Sequence, residues 1–160
     1  MAKDRLHARR IPVSDNLRAI DSLDKPDYAD SFVITSDATT GRSAEVWMRR
    51  VFEGAPPALR WCMLAGWRLA LRFRPGPRRS PQHILGWKIV NSMSDVVILE
   101  RCSALVTAHL LLQATEARLV WATFVRYNHR AARRVWTVVG LIHRRIVPYI
   151  LTNAVSPPSQ

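Results

Sequence analysis

The 160-residue chain predicts an α+β fold: a curved antiparallel sheet closed by one long C-terminal helix, with two short helices after the first strand. Two observations and one packing argument predict it. Strand-like runs over 83–90, 96–101, 105–113 and 119–127 are joined by short turns, which suits an antiparallel meander rather than parallel crossovers. The last run leads into an arginine-studded segment over 130–151 whose Trp136, Val139, His143, Ile146 and Ile150 share one side at helical spacing. Because an amphipathic helix and a half-apolar sheet each need a partner, that helix is expected to cover one face of the sheet.

Residues 1–25 are polar and mixed in charge and read as an N-terminal arm, with a short strand or turn at 10–13. A single domain is expected over 26–152. Its first strand, 28–35, has β-branched and aromatic content, and the cluster from Ser36 to Arg42 ends it as a loop. Ser43 is placed to cap a helix through Phe52, with Glu45 in the first turn and Val46, Trp47, Val51 and Phe52 as its apolar stripe. Gly54-Ala-Pro-Pro57 breaks that helix, and a second one follows over 58–73. Three prolines between Arg74 and Pro81 make the next segment a loop or crossover. In the closing helix Pro148 is expected to kink or end the run, leaving 153–160 as a frayed tail.

Composition narrows the function classes. The net charge of +12 is uneven: residues 1–53 hold nine acids and nine Lys or Arg, whereas residues 54–160 hold 15 Lys or Arg against three acids. The last 44 residues contain no acid. Such a field attracts anionic partners, although only three of the 24 cations are Lys and the bias also fits a general solvated surface. Cys62 and Cys102 make no disulfide framework or zinc spacing and read as reduced core thiols. The N-terminus lacks the apolar stretch of a signal peptide and no run is long enough to span a membrane, so a cytoplasmic protein is expected. No glycine-rich phosphate loop, nucleophile elbow or metal-ligand spacing occurs, and no cofactor is expected.

Side-chain alternation marks out a pocket. In the last strand Leu119, Trp121, Thr123, Val125 and Tyr127 share a face opposite Arg118 and Arg126; in the run 83–90, Leu85, Trp87 and Ile89 oppose Lys88. The predicted lining is therefore Leu85, Trp87, Ile89, Trp121, Thr123 and Tyr127 from the sheet, with Trp136, Val139 and His143 from the helix. His143 is the expected polar anchor in an apolar site, or else a histidine satisfied by backbone. Asp95, Glu100 and His109 lie in or beside the meander and form a weaker acid/base candidate, since nothing fixes their mutual reach. Arg72, Arg74, Arg78 and Arg79 make the densest basic stretch before the last helix. That patch suits weak contact with an anionic membrane surface better than nucleic acid, because the aromatics fall on apolar faces rather than among the arginines.

Several of these pieces are similar to a known superfamily. Pro26-Asp-Tyr-Ala-Asp-Ser-Phe32, Phe52-Glu-Gly-Ala-Pro-Pro57 with Gly66-Trp-Arg68, Leu85-Gly-Trp-Lys88, Thr123-Phe-Val-Arg-Tyr127, and Arg133-Arg-Val-Trp136 leading to His143-Arg-Arg-Ile-Val-Pro148 spread over 26–151. With the element order, they make the chain resemble uncharacterised actinobacterial members of the START-like, or SRPBCC, helix-grip superfamily. Its recognisable strands number fewer than the seven usual there. The resemblance implies a cavity between sheet and C-terminal helix that holds a lipid- or polyketide-like molecule. It implies carriage first, and a polyketide cyclase- or dehydratase-like reaction in the same cavity second. A basic module for membrane or nucleic acid is the third expectation.

Overall fold

The computed structural model describes residues 7–156, with the backbone alone for Ala38 and Arg79. The chain opens with β1 (Arg9–Ile11) and α1 (Asp15–Ile20), then β2 (Tyr28–Thr35). Two helices follow, α2 (Ala44–Glu53) and α3 (Pro57–Leu69). The two-residue strands β3 (Arg79–Ser80) and β4 (His83–Ile84) lead into the meander β5 (Trp87–Ser92), β6 (Val96–Cys102), β7 (Val106–Ala114) and β8 (Arg118–Tyr127), and α4 (Ala132–Val155) closes the fold. The strands form one antiparallel sheet in the order β1-β2-β8-β7-β6-β5-β4-β3. The molecule is thus an α+β antiparallel sheet with a long C-terminal helix and short helices.

Both faces of the sheet are covered. On the inner face Phe32, Leu99, Leu110, Trp121 and Val125 join one core with residues of α2 and α4. Trp47, Met48, Val51 and Phe52 are fully buried on α2, whose Ser43 cap accepts the Val46 N–H as the sequence requires. On the outer face Val33, Ile98, Leu111, Val120, Ala122 and Phe124 make a second core with Leu17 of α1. That second core corrects the reading of 1–25 as an arm: β1 pairs with β2, and α1 seals the sheet from outside. The first six residues of that arm lie outside the described ones.

Three boundaries differ from expectation, each for a physical reason. The run 83–90 is not one strand. Ile84 pairs with Trp87, so Leu85 and Gly86 form a two-residue hairpin turn with φ of 47° and 85°, the left-handed pair that matches strand twist. The second helix stops at Leu69 rather than Phe73, and Arg72 already has φ of 57°. Pro148 does not end α4, which runs on to Val155. Ile150, Leu151, Ala154 and Val155 are all buried beyond it. Burying the three larger side chains at about 1.5–3 kcal/mol each outweighs the roughly 3 kcal/mol a mid-helix proline costs. Residues 153–155 therefore belong to the domain, and 157–160 lie outside the described residues.

Candidate ligand cavity

Period-two alternation in the sheet and the apolar stripe of α4 bring their side chains to one space. A cavity of about 180 Å³ lies between α3, α4 and the inner face of the sheet. Of the residues chosen from sequence, Trp87, Trp121, Thr123, Trp136, Val139 and His143 all line it. Leu85, Ile89 and Tyr127 do not. Leu85 lies in the hairpin turn, out of phase with the strand, and borders a separate surface groove beside Arg49 and Trp61. Ile89 precedes an irregularity in the β5–β6 register, and Tyr127 ends β8; both pack against the core at its margin.

α3 forms the loosest wall. Of its 13 residues only Met63 is buried, yet Cys62, Met63, Gly66 and Trp67 all reach the cavity. Trp67 stands edge-on to Phe52 and Trp87, with ring centroids 5.7 and 5.5 Å away. Neither cysteine is a core thiol, because both are exposed; Cys62 sits on the solvent side of the cavity wall.

One polar cluster enters this apolar space. β2 and β8 place Asp30 directly opposite Thr123, so both point to the inner face. His143 Nε2 lies 3.2 Å from Asp30 Oδ2 and 3.2 Å from Thr123 Oγ1. The Tyr28 hydroxyl donates to Asp30 Oδ2 at 2.6 Å, and Trp121 Nε1–H donates to Thr123 Oγ1 at 2.8 Å. Asp30 is only 2% exposed. Burial by itself would raise its carboxyl, but the hydrogen bond and charge of His143, then the Tyr28 and Thr123 bonds, outweigh it and leave the carboxyl lowered. Tyr28 is pushed well above the usual phenol range, first by burial and then by the bond to Asp30 and its charge. An ionised Asp30 accepts the Nε2–H of His143, and Nδ1 makes no hydrogen bond among the described residues.

The sequence carries a signal for Asp30. Tyr28, Asp30, Phe32 and Ile34 share a face of β2, so a carboxylate falls among residues bound for the core. Arg101 was also missed. Its guanidinium stacks over Phe73, Trp67 and Trp87 at 5.2, 5.7 and 6.0 Å and donates to the Arg74 carbonyl at 2.7 Å. Burial lowers its pKa.

The other predicted sets separate. His109 and Glu100 do meet, at 3.0 Å, but on the outer face and without Asp95. Asp21 completes that cluster, 2.6 Å from His109 Nδ1. In the basic stretch Arg72 and Arg74 are exposed, and Arg78 lies over the Trp61 ring at 4.8 Å; the Arg79 side chain lies outside the described residues. The chain matches no family model, no curated protein and no solved structure in these comparisons.

Proposed function

We propose that the protein binds and carries a hydrophobic or amphipathic small molecule in the cavity between its sheet and α4, as a helix-grip protein of the START-like type. The observation that supports it best is a largely apolar space with one oriented polar cluster, His143 on Asp30 and Thr123. Few polar groups in an apolar concavity are what fixes a ligand's orientation while apolar burial supplies its affinity. An apolar cavity of about 150 Å³ accepts a benzene ring, so about 180 Å³ suits a molecule of one-ring size, or a longer one that displaces α3. Buried Trp87 Nε1 and Trp136 Nε1, both on residues of the cavity wall, have no hydrogen-bond acceptor among the described residues.

Native mass spectrometry of freshly purified protein tests this reading: a co-purifying organic mass supports it. His143→Ala should lower that occupancy. A protein that carries no organic mass, and whose tryptophan emission is indifferent to apolar titrants, would sink it.

One observation favours a second reading, an acid/base reaction of the cyclase or dehydratase kind. His143 lines the cavity and contacts Asp30, which is buried behind it, and a carboxylate-oriented imidazole is a serviceable proton acceptor. Turnover of a bound molecule that disappears in both Asp30→Asn and His143→Ala would select this reading over carriage.

A further inference from the structure

The two helices that flank the cavity are basic and free of acid: no Asp or Glu occurs from Gly54 to Ser94, or from Ala117 onward. They also expose apolar side chains around the cavity. On α4, Arg134, Val138, Leu141, Arg145 and Tyr149 follow at steps of three or four, which places them along one stripe. All are exposed, Val138 at 61% and Leu141 at 57%. Ile142, beside the stripe, is 54% exposed and also lines the cavity. Across from it on α3, Cys62, Ala65 and Leu69 form a second exposed row, with Leu69 at 78% and exposed Arg72 just beyond the helix. Arg134 and Arg145 have no acidic partner among the described residues. Water is a poor environment for this surface, and a soluble neighbour of the same kind is worse, because a second copy would set arginine against arginine.

We infer that the α3–α4 rim docks the cavity mouth onto an anionic lipid bilayer. Exposed aliphatic side chains interleaved with arginine are the composition of an interfacial helix, which sinks its apolar side to the headgroup boundary while its cations meet lipid phosphate. Among the described residues no helix is long and apolar enough to cross a membrane, so the contact lies in the interface plane. Nucleic acid fits less well, since in these two rows Tyr149 alone offers a stacking face for bases and the other exposed apolar side chains are aliphatic or small. Docking places the opening between Cys62, Gly66 and Ile142 against the lipid, where an apolar cargo could pass without crossing water. The surface extends the carriage reading but does not depend on it, because vesicle binding is measured with no cargo.

The test is co-sedimentation of the full chain with vesicles of phosphatidylcholine, with and without phosphatidylglycerol. Binding is expected only with the anionic lipid, and it should weaken as salt rises. Removing one arginine (Arg134→Ala or Arg145→Ala) should weaken binding about five-fold, the equivalent of about 1 kcal/mol per cation near the surface. Leu69→Glu and the pair Val138→Glu with Leu141→Glu should abolish it while leaving the circular dichroism unchanged, since these side chains are exposed. Equal binding to neutral vesicles, wild-type binding by the glutamate variants, a preference for oligonucleotides, or a dimer broken by the same substitutions would each overturn the inference. Failure here leaves co-purified organic mass intact as the readout for the cavity, so the two claims fall separately.

Discussion

The two faces of the sheet each hold a buried histidine bonded to carboxylate, and they use it differently. On the outer face His109 spends both ring nitrogens: Asp21 at the end of α1 takes Nδ1, and Glu100 on β6 takes Nε2. With both carboxylates ionised, the ring donates twice as an imidazolium and has nothing left to offer. It ties the N-terminal segment to a strand 88 residues away. On the inner face His143 meets Asp30 and Thr123 through Nε2 alone and borders a cavity. The same residue type is a clasp where both nitrogens are committed and a candidate anchor where one is not. Counting the partners of each nitrogen separates the two roles more sharply than burial does.

The largest test of this contrast is Asp21→Ala. It leaves His109, whose side chain is 3% exposed, facing one carboxylate in the second core. Breaking one side of a buried ionic cluster costs about 3–5 kcal/mol, readable as a shift of the urea midpoint. Cavity occupancy per folded molecule should not change. His143→Ala should invert the pattern: it strands Asp30 at a cost of about 1–3 kcal/mol and reduces occupancy. If both variants lose stability and neither alters binding, the inner histidine is a second clasp.

Opposite pH responses sharpen the comparison. Burial works against a charged His109, but the bonds to Asp21 and Glu100 and their charges outweigh it, so its pKa is raised. Its contribution to stability is complete below the unfolded value of about 6.5 and is lost as pH rises through the folded value. Asp30 behaves in the reverse sense. Its lowered pKa makes its contribution complete above the unfolded value of about 3.9, and that contribution is lost as pH falls through the folded one. Melting temperature against pH, for wild type and His109→Gln, should show the alkaline loss only in the wild type.

The smallest effect is expected at Arg101. Its cation lies on three rings without an acidic partner among the described residues, so Arg101→Met exchanges a stacked guanidinium for a flexible apolar chain. The loss should be about 1 kcal/mol, measured by the same urea titration. A much larger loss would mean that the charge itself organises the aromatic wall.

What was legible in the chain follows from the range of each interaction. Ser43 as a cap, the alternation of β8 and the stripe of α4 are decided within a few residues, and the residues themselves display them. Six of nine chosen lining positions reach the cavity because strand and helix periods are local. Leu85 was misplaced because a glycine after it permitted a turn that the apolar alternation concealed. Pro148 does not end the helix because its penalty is local while the burial of Leu151 and Val155 is tertiary. α1 and the Asp21–His109 contact were invisible for the same reason: Leu17 and Ile20 are too few to declare a buried face without the sheet they cover.

Cys62 offers an unplanned reporter. Its sulfur group stands on the solvent-facing border of the hollow, while Cys102 is also exposed but takes no part in that border. Alkylation kinetics at the first thiol, normalised to the second, would therefore footprint occupancy in a single tube. A guest seated inside should shield one cysteine and leave its internal standard untouched.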